Sequence, residues 1–189
     1  MNHTHTHISA IARRAIYAGM GATVVLTSAP AVSLMAPTVA IAETKTETGT
    51  LGTCPYTYDD TTKTLTLGAG TLPDQAGKFG SPLPHAKELK SIKFTGDVTL
   101  PANSRYMFGN CSGLTSLDLS SLKTDNVTDM GWMFTRCSGL TNLRTGDGFG
   151  IKAMSDNKAA LPKAMTMDGT TAMNSGEHLA DGAHTYTAS

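Results

Sequence analysis

Between Arg14 and Glu43 the chain carries no charged residue. Elsewhere it has no excess of either sign, with fifteen Lys and Arg against fifteen Asp and Glu. No basic patch exists to neutralise a phosphate backbone, so nucleic acid is not an expected partner. Cysteine is scarce and odd in number: Cys54, Cys111 and Cys137. None forms a C-x-x-C pair, which excludes the usual zinc frameworks. No spacing of Ser, Cys, His or Asp suggests a catalytic constellation, and no cofactor motif occurs. These absences point away from enzymes and toward a protein that presents a surface.

What is present is a segment that occurs twice. Residues 105–117 and 131–143 align with a constant step of 26, which places Met107 on Met133, Phe108 on Phe134 and Cys111 on Cys137. Leu114 falls on Leu140 and Leu117 on Leu143. A fixed step in this range marks stacked repeat units, each too small to bury its own apolar face. Leu89, Ile92 and Phe94 repeat the spacing of Leu114, Leu117 and Leu119 at a step of 25. In the third copy, Leu140 and Leu143 are followed by Thr145, so the last apolar position is lost. Leu-x-x-Leu-x-Leu is the strand segment of a leucine-rich repeat. Alternation turns Leu117 and Leu119 inward and Ser116, Asp118 and Ser120 to water.

The uncharged N-terminal stretch follows Arg13 and Arg14, is apolar in its middle and ends in Ala40-Ile41-Ala42. A basic start, an apolar middle and a small-x-small end describe a secretory signal peptide. The expected cut lies after Ala42, so that the mature chain begins at Glu43. The alternatives are a cut after Ala31 and an uncleaved membrane anchor, which Pro30 and Pro37 would interrupt. His3, His5 and His7 fall in the removed part. No membrane span is expected after cleavage.

The remaining organisation follows from composition. Residues 43–50 have no apolar side chain and are expected to be a flexible lead-in. Residues 51–82 are expected to form a β-hairpin cap, with Cys54, Tyr56 and Tyr58 on one side of the first arm and Leu65 and Leu67 in the second. Residues 83–146 are expected to form a leucine-rich-repeat-like solenoid. In it, Asp125 to Met130 turn into a short helical stretch capped by Asp125 or Asn126. Residues 147–189 form a partly irregular C-terminal cap or tail, where only 183–187 reads as a strand. The predicted class is mainly β.

The run Leu114-Thr-Ser-Leu-Asp-Leu through Asn126-Val127-Thr128, Met130, Met133-Phe134, Cys137 and Leu140 resembles the repeat of BspA-like leucine-rich-repeat surface proteins of bacteria. The resemblance extends over residues 51–146, including the hairpin with Gly52-Thr53-Cys54-Pro55-Tyr56 and Leu65-Thr66-Leu67-Gly68. It implies secretion, a cell-surface or extracellular location, and binding or adhesion to an extracellular protein or glycan without catalytic residues. Leu161-Pro162-Lys163-Ala164-Met165 begins like a wall-sorting motif but lacks its Thr and Gly.

Several residues carry two readings. Stacked strands lie about 4.8 Å apart, so Cys111 and Cys137 have the spacing for a disulfide or for a buried column of thiols. Phe108 and Phe134 repeat with the core, whereas Tyr106 and Trp132 flank them and are candidates for exposure. Asp125 and Asp129 are too few to hold calcium. The candidate partner face comprises Ser116, Asp118, Trp132, Asn142 and Arg144. Two other classes remain: a self-associating surface-layer component, and a secreted cysteine hydrolase using Cys54 or Cys137 with His85, His178 or His184.

Overall fold

The computed structural model describes residues 45–188 except Met154. The expected signal peptide, its Ala42/Glu43 cut and the early histidines lie outside the described residues. Among the described residues no helix is long and apolar enough to cross a membrane.

The first four-stranded sheet begins with β1 (Thr46–Leu51), β2 (Cys54–Asp59) and β3 (Thr64–Leu67). β2 and β3 are the expected hairpin, antiparallel with Tyr58 opposite Leu65 and Tyr56 opposite Leu67. The expected flexible lead-in is instead β1, paired antiparallel with β2 from Thr46–Asp59 to Leu51–Cys54. It has no apolar alternation to reveal it. Its threonines favour extended backbone, and Glu47 ties it down by accepting from the Tyr56 hydroxyl at 2.8 Å and contacting His85 Nε2 at 2.8 Å. β3 does more than cap. It pairs in parallel with β5 (Ser91–Phe94), Leu65 against Ile92, so the hairpin's second arm is already a layer of the parallel stack. β5 ends this sheet. That position leaves Phe94 half-buried rather than in the core, unlike the other repeat residues named above.

The short strands β4 (Gly70–Thr71) and β6 (Val98–Thr99) pair in parallel. β7 (Ser116–Asp118) and β8 (Asn142–Arg144) pair in parallel, Leu117 directly on Leu143. The Ile92 strand therefore lies in a different sheet from the Leu117 and Leu143 strands, and the expected three-strand column is interrupted. Layer-to-layer bonds continue around the turns. Phe108 N–H donates to Met133 O at 3.1 Å, Asn110 to Thr135 at 2.8 Å, and Thr141 to Thr115 at 2.9 Å. Backbone groups of one repeat are thus satisfied by the next.

Inside, Leu89, Ile92, Met107, Phe108, Cys111, Leu114, Leu117, Leu119, Met133, Phe134, Cys137, Leu140 and Leu143 are all buried. Thr145, the position where leucine is lost, is also buried. Its Oγ1 donates to Gly182 O at 2.7 Å and accepts from His184 N–H at 2.9 Å, so a hydroxyl replaces a methyl where the C-terminal segment arrives. The expected helical stretch is a series of turns. Tyr106, Asn110, Trp132 and Arg136 have φ between 53° and 62°, which stops helix propagation.

The C-terminal segment is more regular than expected. β9 (Met165–Met167), β10 (Thr171–Met173) and β11 (Thr185–Ala188) form an antiparallel array joined to β8 through β11. The sheet order is β10-β9-β11-β8-β7. β9 and β10 were illegible because each is three residues long, too short for a period to emerge. Asp168, in their connecting turn, accepts from Thr185 N–H at 2.9 Å and contacts His184 Nδ1 at 2.6 Å. The Thr185 amide, then His184, hold its carboxyl below the ordinary range. A carboxylate lowered on folding stabilises above its unfolded pKa of about 4, and that contribution is lost as pH falls through the folded value. The melting temperature of Asp168→Asn should therefore trail the wild type at pH 7 and converge with it at acid pH. A gap constant with pH would overturn the assignment.

Candidate binding surface

On β7 and β8 the outward positions line up in pairs, Ser116 beside Asn142 and Asp118 beside Arg144. All four are exposed. Asp118 and Arg144 make an ion pair at 4.0 Å, and Asp118 also accepts from Ser120 N–H at 2.9 Å. Partial burial pushes the Asp118 carboxyl up, but the Ser120 bonds and the Arg144 charge outweigh it and hold the group low. These four residues and Thr185 line a shallow depression of about 200 Å³.

Trp132 belongs to a second surface, built on the turns. It is 54% exposed and stacks on Tyr106 with ring centroids 5.6 Å apart and planes 8° apart. The repeat step sets this pairing, since both residues hold the same place in successive layers. The Arg105 guanidinium sits 4.2 Å from the indole centroid, where a cation is attracted by the ring face. Asp129 holds Arg105 there at 3.1 Å and accepts from Gly131 N–H at 2.9 Å. Phe79 extends the aromatic series at 6.2 Å from Tyr106 and is 87% exposed. Its sequence surroundings, Gly-Lys-Phe-Gly, bear no likeness to the repeat. Asn110 and Arg136 also stand 26 residues apart, but one is an amide and the other a cation, so no shared side-chain chemistry marks their position in the sequence. The depressions beside Trp132 share no lining residue with the one on the Ser116–Arg144 face.

All three cysteines are buried and free. Burial pushes the Cys54 thiol up. Cys137 Sγ donates to Phe108 O at 3.0 Å, and its contact with Cys111 pushes the Cys111 thiol up, with burial adding to the effect. His85 stacks on Tyr58 at 4.1 Å, and His184 is engaged by Asp168. Among the described residues no hydrogen bond joins a cysteine to a histidine. A thiol reagent should label none of the three in the native state and all three in denaturant without reductant. Only one reactive thiol in denaturant would mean that Cys111 and Cys137 are bridged.

No family model matches the chain, and no curated protein and no solved structure shows significant similarity to it.

Proposed function

We infer that this chain is a non-catalytic binding or adhesion protein of the cell surface or extracellular space, a short leucine-rich-repeat-like β-solenoid. The observation that carries the reading is the stacking of Leu117 on Leu143 in adjacent parallel strands. That register buries the repeated leucines and leaves Ser116, Asp118, Asn142 and Arg144 as an ordered polar face. Repetition of one unit builds extended surfaces rather than enclosed reaction sites. Ala40-Ile41-Ala42 after an uncharged stretch supports export. The resemblance to BspA-like surface proteins supports the same location.

The partner is an extracellular protein or glycan. With few layers the face is small, so a single module binds weakly, and useful affinity requires several copies or a second contact. The test is capture of extracellular-matrix and host-surface proteins and glycans by the chain without residues 1–42. A copy with Ser116, Asp118, Asn142 and Arg144 changed to Ala is compared beside it. Reduced capture by the altered copy is the expected result. Equal capture removes the strand face from the reading. No capture, with ordered self-assembly instead, replaces it by a structural-layer role.

A further inference from the structure

Alongside the aromatic series runs a groove of about 420 Å³, lined by Phe79, Tyr106, Asn110, Trp132, Thr135 and Arg136 with Gly80. Four of these side chains stand on left-handed backbone: Tyr106 at φ 55°, Asn110 at 62°, Trp132 at 53° and Arg136 at 58°. Gly adopts such angles without steric penalty, whereas in Tyr, Trp and Arg the Cβ crowds the following carbonyl oxygen. Retention of large side chains on strained backbone, twice in each of two layers, favours a role for the side chains themselves.

The chemistry of the groove is uneven in a useful way. Among the described residues that line it Arg136 alone is charged; it is exposed, and its side chain makes no ion pair or hydrogen bond with another described residue. Arg105 nearby is already matched by Asp129. The Asn110 and Thr135 side chains likewise have no hydrogen-bond partner among the described residues. Three aromatic rings supply apolar faces and edges. A second cleft of about 440 Å³ shares Trp132, Thr135 and Arg136 and continues past the indole toward Lys158, Ser175 and His178. Lys158 there is matched by Asp181 at 2.6 Å.

We propose that the Trp132–Arg136 groove binds an acidic oligosaccharide, with a sugar ring against the aromatic series and its carboxylate on Arg136. A sugar ring offers an apolar C–H face and a rim of hydroxyls, which match the rings and the free Asn110 and Thr135 groups. A carboxylate matches the unpaired guanidinium in charge and in fork geometry. This assignment rests on the binding-protein reading above and gives that protein a glycan partner at a second surface.

Trp132 is the only tryptophan in the chain, so its fluorescence reports on this groove. The experiment titrates the full chain with tetragalacturonate and, separately, with the neutral cellotetraose, and repeats both on Arg136→Gln. Saturable change in emission with the acidic sugar, weakened by salt and at least tenfold weaker in Arg136→Gln, is the expected result. Cellotetraose should bind wild type and variant alike and more weakly. Arg136 is exposed, so the variant should retain the wild-type circular dichroism and melting temperature. Equal affinity for the acidic sugar in wild type and Arg136→Gln would overturn the assignment. So would no emission change with tetragalacturonate, with a sulfated or with a sialylated oligosaccharide. If those titrations are silent while the Ser116–Arg144 face still captures a protein, the groove assignment falls and the proposed function stands. If nothing is captured by either surface, both fall.

Discussion

Phe134→Ala should lower the stability of the domain by about 3–5 kcal/mol, while Asp118→Ala should change it by less than about 0.5 kcal/mol. Phe134 is 1% exposed, and its ring stacks on Phe108 of the preceding layer with centroids 6.0 Å apart and planes 9° apart. Deleting it removes a large apolar surface and leaves a cavity between two layers. The layers are held at strand spacing by Phe108 N–H to Met133 O and Asn110 N–H to Thr135 O, so they have little freedom to collapse. Asp118 gives up only an exposed 4.0 Å ion pair and a turn bond to Ser120. Urea midpoints of the two variants decide the matter. If Phe134→Ala does not fold, Phe134→Leu supplies a graded loss from the same site. A double-mutant cycle with Phe108 should return a coupling of about 0.5–1.5 kcal/mol beyond area burial. Equal midpoints for Phe134→Ala and Asp118→Ala would place the inward and outward faces wrongly.

Phe134 was legible because it recurs. A repeated apolar residue at fixed spacing has one physical explanation, the same slot in successive layers, and Met107, Cys111 and Leu114 were placed in the core by the same logic. The elements that were not legible lack a periodic apolar signal. β1 is a strand of Thr, Glu and Gly up to its last residue, Leu51, exposed along almost its whole length and stabilised by its ladder and by Glu47. β9 and β10 are short, and their geometry is imposed by β11 pairing with both β8 and β9. Thr145 looked like a gap in the leucine pattern, yet it is buried and bonded by a segment 37 to 39 residues downstream that no local reading anticipates.

The candidate surface divides along the same line. Ser116, Asp118, Asn142 and Arg144 follow from strand alternation, and the structure places them side by side. Trp132 was separable from Phe134 only by its flanking place in the repeat. Its neighbours Phe79 and Arg105 were invisible, because the first lies outside any detectable copy and the second acts through a turn geometry. The left-handed turns themselves carried no glycine to announce them at Tyr106 and Trp132. The sequence therefore pointed to the strand face and to Tyr106 and Trp132, while the part that Phe79 and Arg105 play beside them emerged only when the layers were stacked.

Gly139→Ala should be the second severe change, destabilising by about 1–3 kcal/mol, with Gly113→Ala milder. The two glycines hold equivalent places, in Ser-Gly-Leu of each copy. A Cβ on Gly139 would collide with the carbonyl oxygen of Ser112 and meet Leu114 O at 3.1 Å. A Cβ on Gly113 would meet Leu89 O at 3.0 Å. The obstacle at Gly139 is backbone of the preceding layer, so no side chain can swing aside. Relief requires the layers to separate where Thr141 and Asn142 N–H both donate to Thr115 O, at 2.9 and 3.1 Å, just before β8 pairs with β7. The loss should therefore appear as a lower urea midpoint and as faster amide exchange at Thr141 and Asn142. At Gly113 the approach is looser, and shifts of a few tenths of an ångström suffice. Gly113→Ala proving as damaging as Gly139→Ala, or Gly139→Ala leaving exchange at Thr141 unchanged, would refute the claim that close layer approach is what demands glycine here.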